Sequence, residues 1–520
     1  MKDPDLLIVG GGTGGCAAAL TACSLGLRVV MTEPTDWVGG QLTSQCVPPD
    51  ENPWIEEAGG CSQSYSQFRE GVRDYYRANE SLTPDALEDR QLNPGGGWVS
   101  KLCHRPDIAH RVLRATLQPY VDSGHLSLHL GWRPTGAKTK GDRVVAVDFL
   151  DDEGRKHRVE ARFFLDATET GDVLPMSGTE HVVGAEAREE TGEPHAPDAH
   201  EPDNVQGLTW CAVVGYSPDG DHTIAKPAQY DFWRHFQPKG WPCELLSYKM
   251  LQVQRGEVID FPLFGNNGFN LFTYRQVVDG TRHTDDREDA TVMNWPMNDY
   301  YVGSVLDVPA AVAEEHFEAA RQLTLSMLYW LQTEAPRHDE GVGYPELRLR
   351  PDLAGTEDGL AKAPYIRESR RIRAEFTVAE QHVSTEANPG RDRAVEFLDS
   401  VGIGAYRIDL HPSTNGRGTI DLSSLPFQIP LGCLVPVRMT NLLPACKNIG
   451  VTHITNGCYR LHPVEWNIGE SAAALAHFCL ANDVSPQRVA REQSLVSEMQ
   501  ALLNSLGVVL SWGGVETRAL

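Results

Sequence analysis

Leu6-Leu7-Ile8-Val9-Gly10-Gly11-Gly12-Thr13-Gly14-Gly15 is the stretch that decides the fold. A short apolar run breaks into glycines and continues into the Ala- and Leu-rich, proline-free stretch Gly14 to Gly26. That order predicts a strand, a tight turn and a helix. Gly10, Gly12 and Gly15 satisfy G-x-G-x-x-G. The first glycine permits the turn, the second lets backbone approach a pyrophosphate, and the third lets the helix pack closely on the sheet. Thr13 and Gly14 lie in the first helical turn, where free N–H groups and the helix dipole favour a phosphate. Leu27 to Thr32 reads as the next strand, ending at Glu33. An acid there accepts hydrogen bonds from a ribose 2′-OH and disfavours a 2′-phosphate, so the βαβ start is expected to bind a dinucleotide.

The rest of the chain sets limits on that reading. Its 520 residues predict about three structural units. With 41% hydrophobic and 22% charged residues it is expected to fold around an ordinary core. Lys plus Arg number 46 against 71 Asp plus Glu, a net charge of −25, which opposes a nucleic-acid partner. No apolar run is long enough to predict a membrane span, and Leu6 to Val9 is too short for a secretory core. The eleven cysteines are dispersed and include no C-x-x-C pair, so no metal or iron–sulfur site is expected, and a reducing cytoplasm suits them.

Between about Thr35 and Arg105, turn-forming residues predict insertion or loop structure with one helix near Tyr65 to Glu80. A helix over Pro106 to Asp122 is expected to lead into an antiparallel meander built from Leu126 to Trp132, Arg143 to Leu150 and Lys156 to Leu165. Residues 184–206 are rich in Glu, Asp, Pro and His and read as a loop or a partly disordered segment. Residues 210–301 hold 16 of the 41 aromatics, predicting either an aromatic core or a pocket for a planar substrate. Helical patterns over Ala310 to Glu334 and Ser485 to Leu506 complete the chain.

Three later runs carry a resemblance. Trp37-Val38-Gly39-Gly40-Gln41-Leu42 resembles the loop after the second strand in FAD enzymes of the glutathione-reductase-like superfamily. Phe163 to Asp172, with Asp166 and Thr168, looks like that superfamily's second fingerprint, although Glu169-Thr170 replaces the usual glycine. Asn441 to Cys446, then Arg460-Leu461-His462-Pro463-Val464-Glu465-Trp466-Asn467, resembles the closing FAD motif, a strand leading into a helix aimed at the flavin. With Tyr365 to Arg371 these runs make the chain similar to bacterial FAD-dependent oxidoreductases related to the flavin subunit of heterodisulfide reductase, without its iron–sulfur cysteines.

The resemblance implies an α/β chain. A Rossmann-like FAD domain is formed discontinuously by residues 1–45, 105–180 and 420–480. An insertion spans 46–104, a mixed or antiparallel β substrate domain 181–419, and a helical C-terminal segment 481–520. It implies FAD held by Gly10, Gly12, Thr13, Gly14, Gly15, Glu33, Gly40, Gln41, Asp166, Thr168, Glu465 and Asn467. His453, Arg460 and His462 are the candidate catalytic groups, since a histidine takes a substrate proton near neutral pH. Arg367 and Arg371 are candidates for a substrate carboxylate. Cys46, Cys103 and His104 are candidate covalent tethers for the flavin.

No second glycine fingerprint predicts an NAD(P)H domain. The expected reaction is two-electron oxidation of a small molecule by hydride transfer from a C–N, C–O or C–C position, with oxygen or an electron carrier as acceptor. Two alternatives remain open at this point: an NAD(P)H-dependent flavin monooxygenase, and a non-catalytic FAD-binding assembly subunit. The oligomeric state is not set by these features.

Overall fold

The computed structural model describes residues 4–239, 241–253, 256–265 and 269–520. In chain order, strand β1 (Leu6–Val9), helix α1 (Thr13–Ser24) and strand β2 (Val29–Glu33) form the βαβ start. Helix Pro106–Asp122 and strand β3 (Leu126–Leu130) follow, then β4 (Arg133–Lys140), β5 (Arg143–Leu150), β6 (Lys156–Glu160) and β7 (Phe163–Asp166). Every residue of β1 and β7 is buried, as continuous apolar runs require in a parallel sheet covered on both faces. The sheet has five parallel strands in the order Leu442–Pro444, β7, β1, β2, β3. Gly10 and Ala445 follow the carboxyl ends of two strands, and Asp166 and Glu33 end two others, at the edge where such sheets bind ligands.

The meander differs from its expectation. Leu126–Leu130 pairs in parallel with β2, and the meander proper is β4, β5 and β6. Strand β4 carries a proline and a glycine and is mostly polar, so it shows no apolar alternation to read. Phe163–Asp166 is likewise parallel, between β1 and Leu442–Pro444. Of residues 420–480, Phe427–Pro430 pairs with Ser400–Gly404 and lies outside the parallel sheet.

Helix α1 packs against the closing helix His462–Asn482, and both are buried almost all round. Two glycines set the spacing: a Cβ on Gly14 would lie 1.9 Å from the Ala445 carbonyl oxygen, and one on Gly469 would lie 2.0 Å from that of Gly14. A four-stranded antiparallel sheet, ordered Gln276–Val278, Ala290–Met293, Ala212–Tyr216, Leu347–Leu349, packs with helix Ala310–Thr333 around a second core. Trp233, Trp295 and Tyr344 are among its fully buried rings.

Residues 184–206 are not disordered. They contain the helix Arg188–Thr191 and a bridge between Ala185 and Glu201. Glu186 and Glu193 are buried there because Arg371 and Thr452, remote in sequence, meet their carboxylates. The C-terminal helical pattern divides at Glu492 into Pro486–Arg491 and Gln493–Ser505. Among the described residues, no helix is long and apolar enough to cross a membrane.

Candidate active site

The glycine turn is built for close approach. Gly10 has φ +105°, and a Cβ there would lie 2.3 Å from the Ala167 carbonyl oxygen. Gly12 is the N-cap of α1 and has no side chain of its own to cap it. The Thr13 hydroxyl donates to the Gly39 carbonyl at 2.9 Å, drawing the Gly39-Gly40 loop over the turn. One Glu33 oxygen accepts from the Gly11 N–H at 3.0 Å, and the other from the Thr35 N–H and hydroxyl at 2.9 and 2.8 Å. Burial pushes the Glu33 carboxyl up to about 7 despite these donors.

A cavity of about 130 Å³ opens beside the turn, lined by Gly10, Gly12, Glu33, Gly40, Trp132 and Thr168 among others. Around it, buried Thr32 Oγ1, Gln45 Oε1 and Glu169 Oε1 have no hydrogen-bond partner among the described residues. Glycines that leave backbone exposed, unpartnered polar atoms and an acid at the end of β2 fit the adenosine diphosphate half of FAD.

Glu465, from the first turn of the closing helix, reaches the same turn and accepts from the Gly14 N–H at 3.3 Å and from Gln41 Nε2 at 2.6 Å. The Lys447 ammonium lies 3.5 Å from Glu465, pairs with Glu169, and sits 3.4 Å from Cys446 Sγ. The only His/Cys/Asp/Glu cluster with metal-ligating spacing among the described residues, Glu169, Cys446 and Glu465, is therefore supplied with a cation by Lys447. Gly15 lies beside Gly10: a Cβ on Gly15 would fall 2.1 Å from the Gly10 carbonyl oxygen, so the missing side chain lets the helix close on the turn. Asp166 shapes the bend after β7, accepting from Thr168 N–H and hydroxyl at 3.1 and 2.7 Å and from Val173 N–H at 3.1 Å. Asn467 instead ties the closing helix to Ile403 N–H at 3.1 Å.

A larger cavity, about 330 Å³, is lined by Trp98, Tyr274, Tyr365 and Tyr406 together with Arg275, Arg367 and Arg460. Arg460 joins it to the Gly39-Gly40 loop over the turn: its carbonyl accepts from Gln41 Nε2 at 3.1 Å, while its guanidinium donates to the Tyr365 hydroxyl at 2.7 Å. Arg367 pairs with buried Asp299 at 2.9 Å. His411 faces Asp299 through Nδ1 and Asp409 through Nε2, the latter at 3.4 Å.

The other expected groups lie elsewhere. His453 begins a helix and shares Glu368 with Arg371, beside a separate cavity of about 300 Å³. Against the cost of burial, His453 and Arg371 hold Glu368 at about 2. Arg371 is fully buried, bonded to Glu368, Glu186 and backbone carbonyls, so it does not line the cavity that Arg367 lines. His462 Nδ1 accepts from the Asp50 N–H at 3.0 Å, and burial with nearby Arg275 holds its pKa well below the usual histidine value. Cys46 packs in an apolar cluster with Cys211, and Cys103 and His104 are also buried. Burial pushes the Cys103 thiol up to about 12 and His104 down to about 4.

Sequence reasoning did not reach Arg275, Asp50, Asp409, His411 or Lys447. Only Lys447 carried a local signal, a lone cation inside the closing motif.

The chain matches the FAD dependent oxidoreductase family over residues 5–503 and belongs to it. FAD is the cofactor of that family, in keeping with the glycine turn and the acid at the end of β2. No curated protein matches the sequence. Among solved structures, p-nitrophenol 4-monooxygenase PnpA from Pseudomonas putida DLL-E4 is 11% identical, with 97% of this chain and 88% of that one covered and a TM-score of 0.36. OxyS anhydrotetracycline hydroxylase from Streptomyces rimosus is 11% identical, with 99% and 71% covered and a TM-score of 0.33. The FAD-complexed glycerol-3-phosphate dehydrogenase from Bacillus halodurans is 14% identical, with 41% and 40% covered and a TM-score of 0.24. The chain spans less than half the length of several others it matches, including 23% of L-proline dehydrogenase from P. horikoshii.

Proposed function

We propose that the larger cavity is the substrate site and that it takes a small planar organic molecule. The observation that carries this reading is Arg460, whose backbone is bonded beside the glycine turn and whose side chain lines the aromatic-walled cavity. FAD, when bound, supplies the two-electron chemistry. The chain's part is to hold, orient and charge-stabilise: ring walls from Tyr274 and Tyr365 align a flat substrate, and Arg460 supplies fixed positive charge. Glu33 and the glycine turn hold the adenosine and pyrophosphate, with Glu465 and Lys447 beside them.

The aromatic walls favour an aromatic ring as substrate, and the carbons of such a ring carry no sp³ C–H for hydride removal. NAD(P)H-dependent monooxygenation is therefore the first reading of the reaction. Direct hydride removal from a C–N, C–O or C–C position is the second, favoured by Asp50 on the cavity wall, whose Oδ1 has no hydrogen-bond partner among the described residues and would take a substrate proton. The similarity to the heterodisulfide reductase flavin subunit rests on motif order, and the dispersed, free cysteines offer no cluster relay.

NAD(P)H and oxygen consumption measured with a panel of phenols, aromatic acids and amines separates the two. Substrate-stimulated NAD(P)H oxidation with an oxygenated product supports the first reading. Anaerobic bleaching by the organic compound alone supports the second, and silence in both assays across the panel removes both.

A further inference from the structure

Resting on that reading of the larger cavity, we propose that its substrate is an aromatic carboxylate, its acid group seated on Arg275 and Arg460 and its ring against Tyr274 and Tyr365. Seven buried polar atoms on cavity-lining residues have no hydrogen-bond partner among the described residues. Five are pure donors: Trp241 Nε1, Arg275 Nε, Asn294 Nδ2, Arg367 Nε and Arg460 Nε. One, Asp50 Oδ1, is a pure acceptor, and the Thr419 hydroxyl serves either way. An unmatched buried donor costs free energy, so a wall with this surplus is complementary to a ligand rich in acceptors. Asp299 pairs with Arg367 at 2.9 Å, but the carboxylates beside Arg275 and Arg460 stand farther off. Both terminal nitrogens of Arg275 reach Asp50 only at 3.5 Å, and Arg460 reaches Asp409 at 3.5 Å.

The acids facing the cavity are Asp50, Asp409 and Asp421, the last paired with Arg407 at 2.6 Å. Against them stand Arg275, Arg367 and Arg460, with His411 beside Asp409. A planar carboxylate matches the flat guanidinium fork with both oxygens, whereas a neutral amide offers one acceptor and sets its NH₂ donors against the fork's own. Arg275 lies over the Tyr274 ring at 4.9 Å and Arg367 over Tyr365 at 4.9 Å, so cation and ring face the ligand as one surface.

The test titrates the FAD-loaded protein with benzoate and with benzamide, following the flavin absorbance. Benzoate is expected to bind about tenfold or more tightly than benzamide, the worth of a charge-assisted bond over a neutral one. In Arg275→Gln with its flavin retained, benzoate is expected to weaken by about tenfold while benzamide is unmoved. Equal binding of acid and amide by the unaltered protein overturns the carboxylate assignment and leaves the ring site standing, even where the variant does not fold. Unchanged benzoate affinity in the variant also overturns it. If neither compound perturbs the flavin, the cavity is not the ring site, and the proposed function fails with the inference.

Discussion

Glu465 Oε1 accepts a hydrogen bond from the backbone N–H of Gly14 at 3.3 Å, across 451 residues of chain. The first and last segments of the FAD motifs thereby meet at the positive end of α1. Burial raises the Glu465 pKa, while Lys447 pulls it down. The two carboxylates, Glu169 and Glu465, share that one ammonium beside the glycine turn.

Lys447→Met is therefore expected to lose FAD. Removing one partner of a buried ion pair costs about 3–5 kcal/mol, because the other charge stays buried. The flavin-to-protein absorbance ratio after gel filtration, compared with the unaltered protein, checks this. A ratio that does not change contradicts it.

Gly10→Ala tests the turn. At φ +105° with a Cβ 2.3 Å from the Ala167 carbonyl oxygen, alanine is both strained and obstructed. A loss of at least about 2 kcal/mol of stability and a colourless protein are expected. Thermal unfolding and the visible spectrum report the two effects separately.

Buried Glu470 accepts from the Ser64 hydroxyl, and its other oxygen, Oε2, has no partner among the described residues. Burial raises its carboxyl from 4.5 to about 7. Its folded pKa exceeds the unfolded one, so the stability it contributes is complete below about 4.5 and is lost as pH rises through about 7. Glu470→Gln is expected to gain on the unaltered protein between pH 5 and pH 8, by on the order of 3 kcal/mol at the upper end. Paired thermal midpoints at the two pH values check the sign, and an advantage that shrinks with rising pH would falsify it.

Acid precipitation of the yellow protein is expected to release flavin to the supernatant. Burial holds the Cys46 and Cys103 thiols in their protonated, poorly nucleophilic form. Flavin kept in the pellet, and lost from it in Cys46→Ser or Cys103→Ser, would instead identify a tether.

The parallel core was legible because its signals are local. Gly10 needs positive φ, β1 and β7 are unbroken apolar runs, and Pro463 stands in the first turn of the closing helix. Strand β3 was misplaced in the meander because an edge strand of five residues with one buried position looks alike in either setting. Residues 184–206 looked too polar to order, since the partners of Glu186 and Glu193 come from residues 371 and 452. Of the substrate-site candidates, Arg367 and Arg371 are four residues apart and chemically alike, yet one lines the cavity and the other is wholly enclosed by Glu186 and Glu368.

The amino-acid sequence by itself determined the dinucleotide turn, the acid at the end of β2 and the closing helix. Each rests on backbone conformation and side-chain volume within a few consecutive residues. Only the tertiary structure decided which arginines line the larger cavity. Asp50, Arg275, Tyr365, Asp409 and Arg460 come from five distant segments, and whether a guanidinium is satisfied or still has an N–H to give depends on acceptors that folding alone brings within reach.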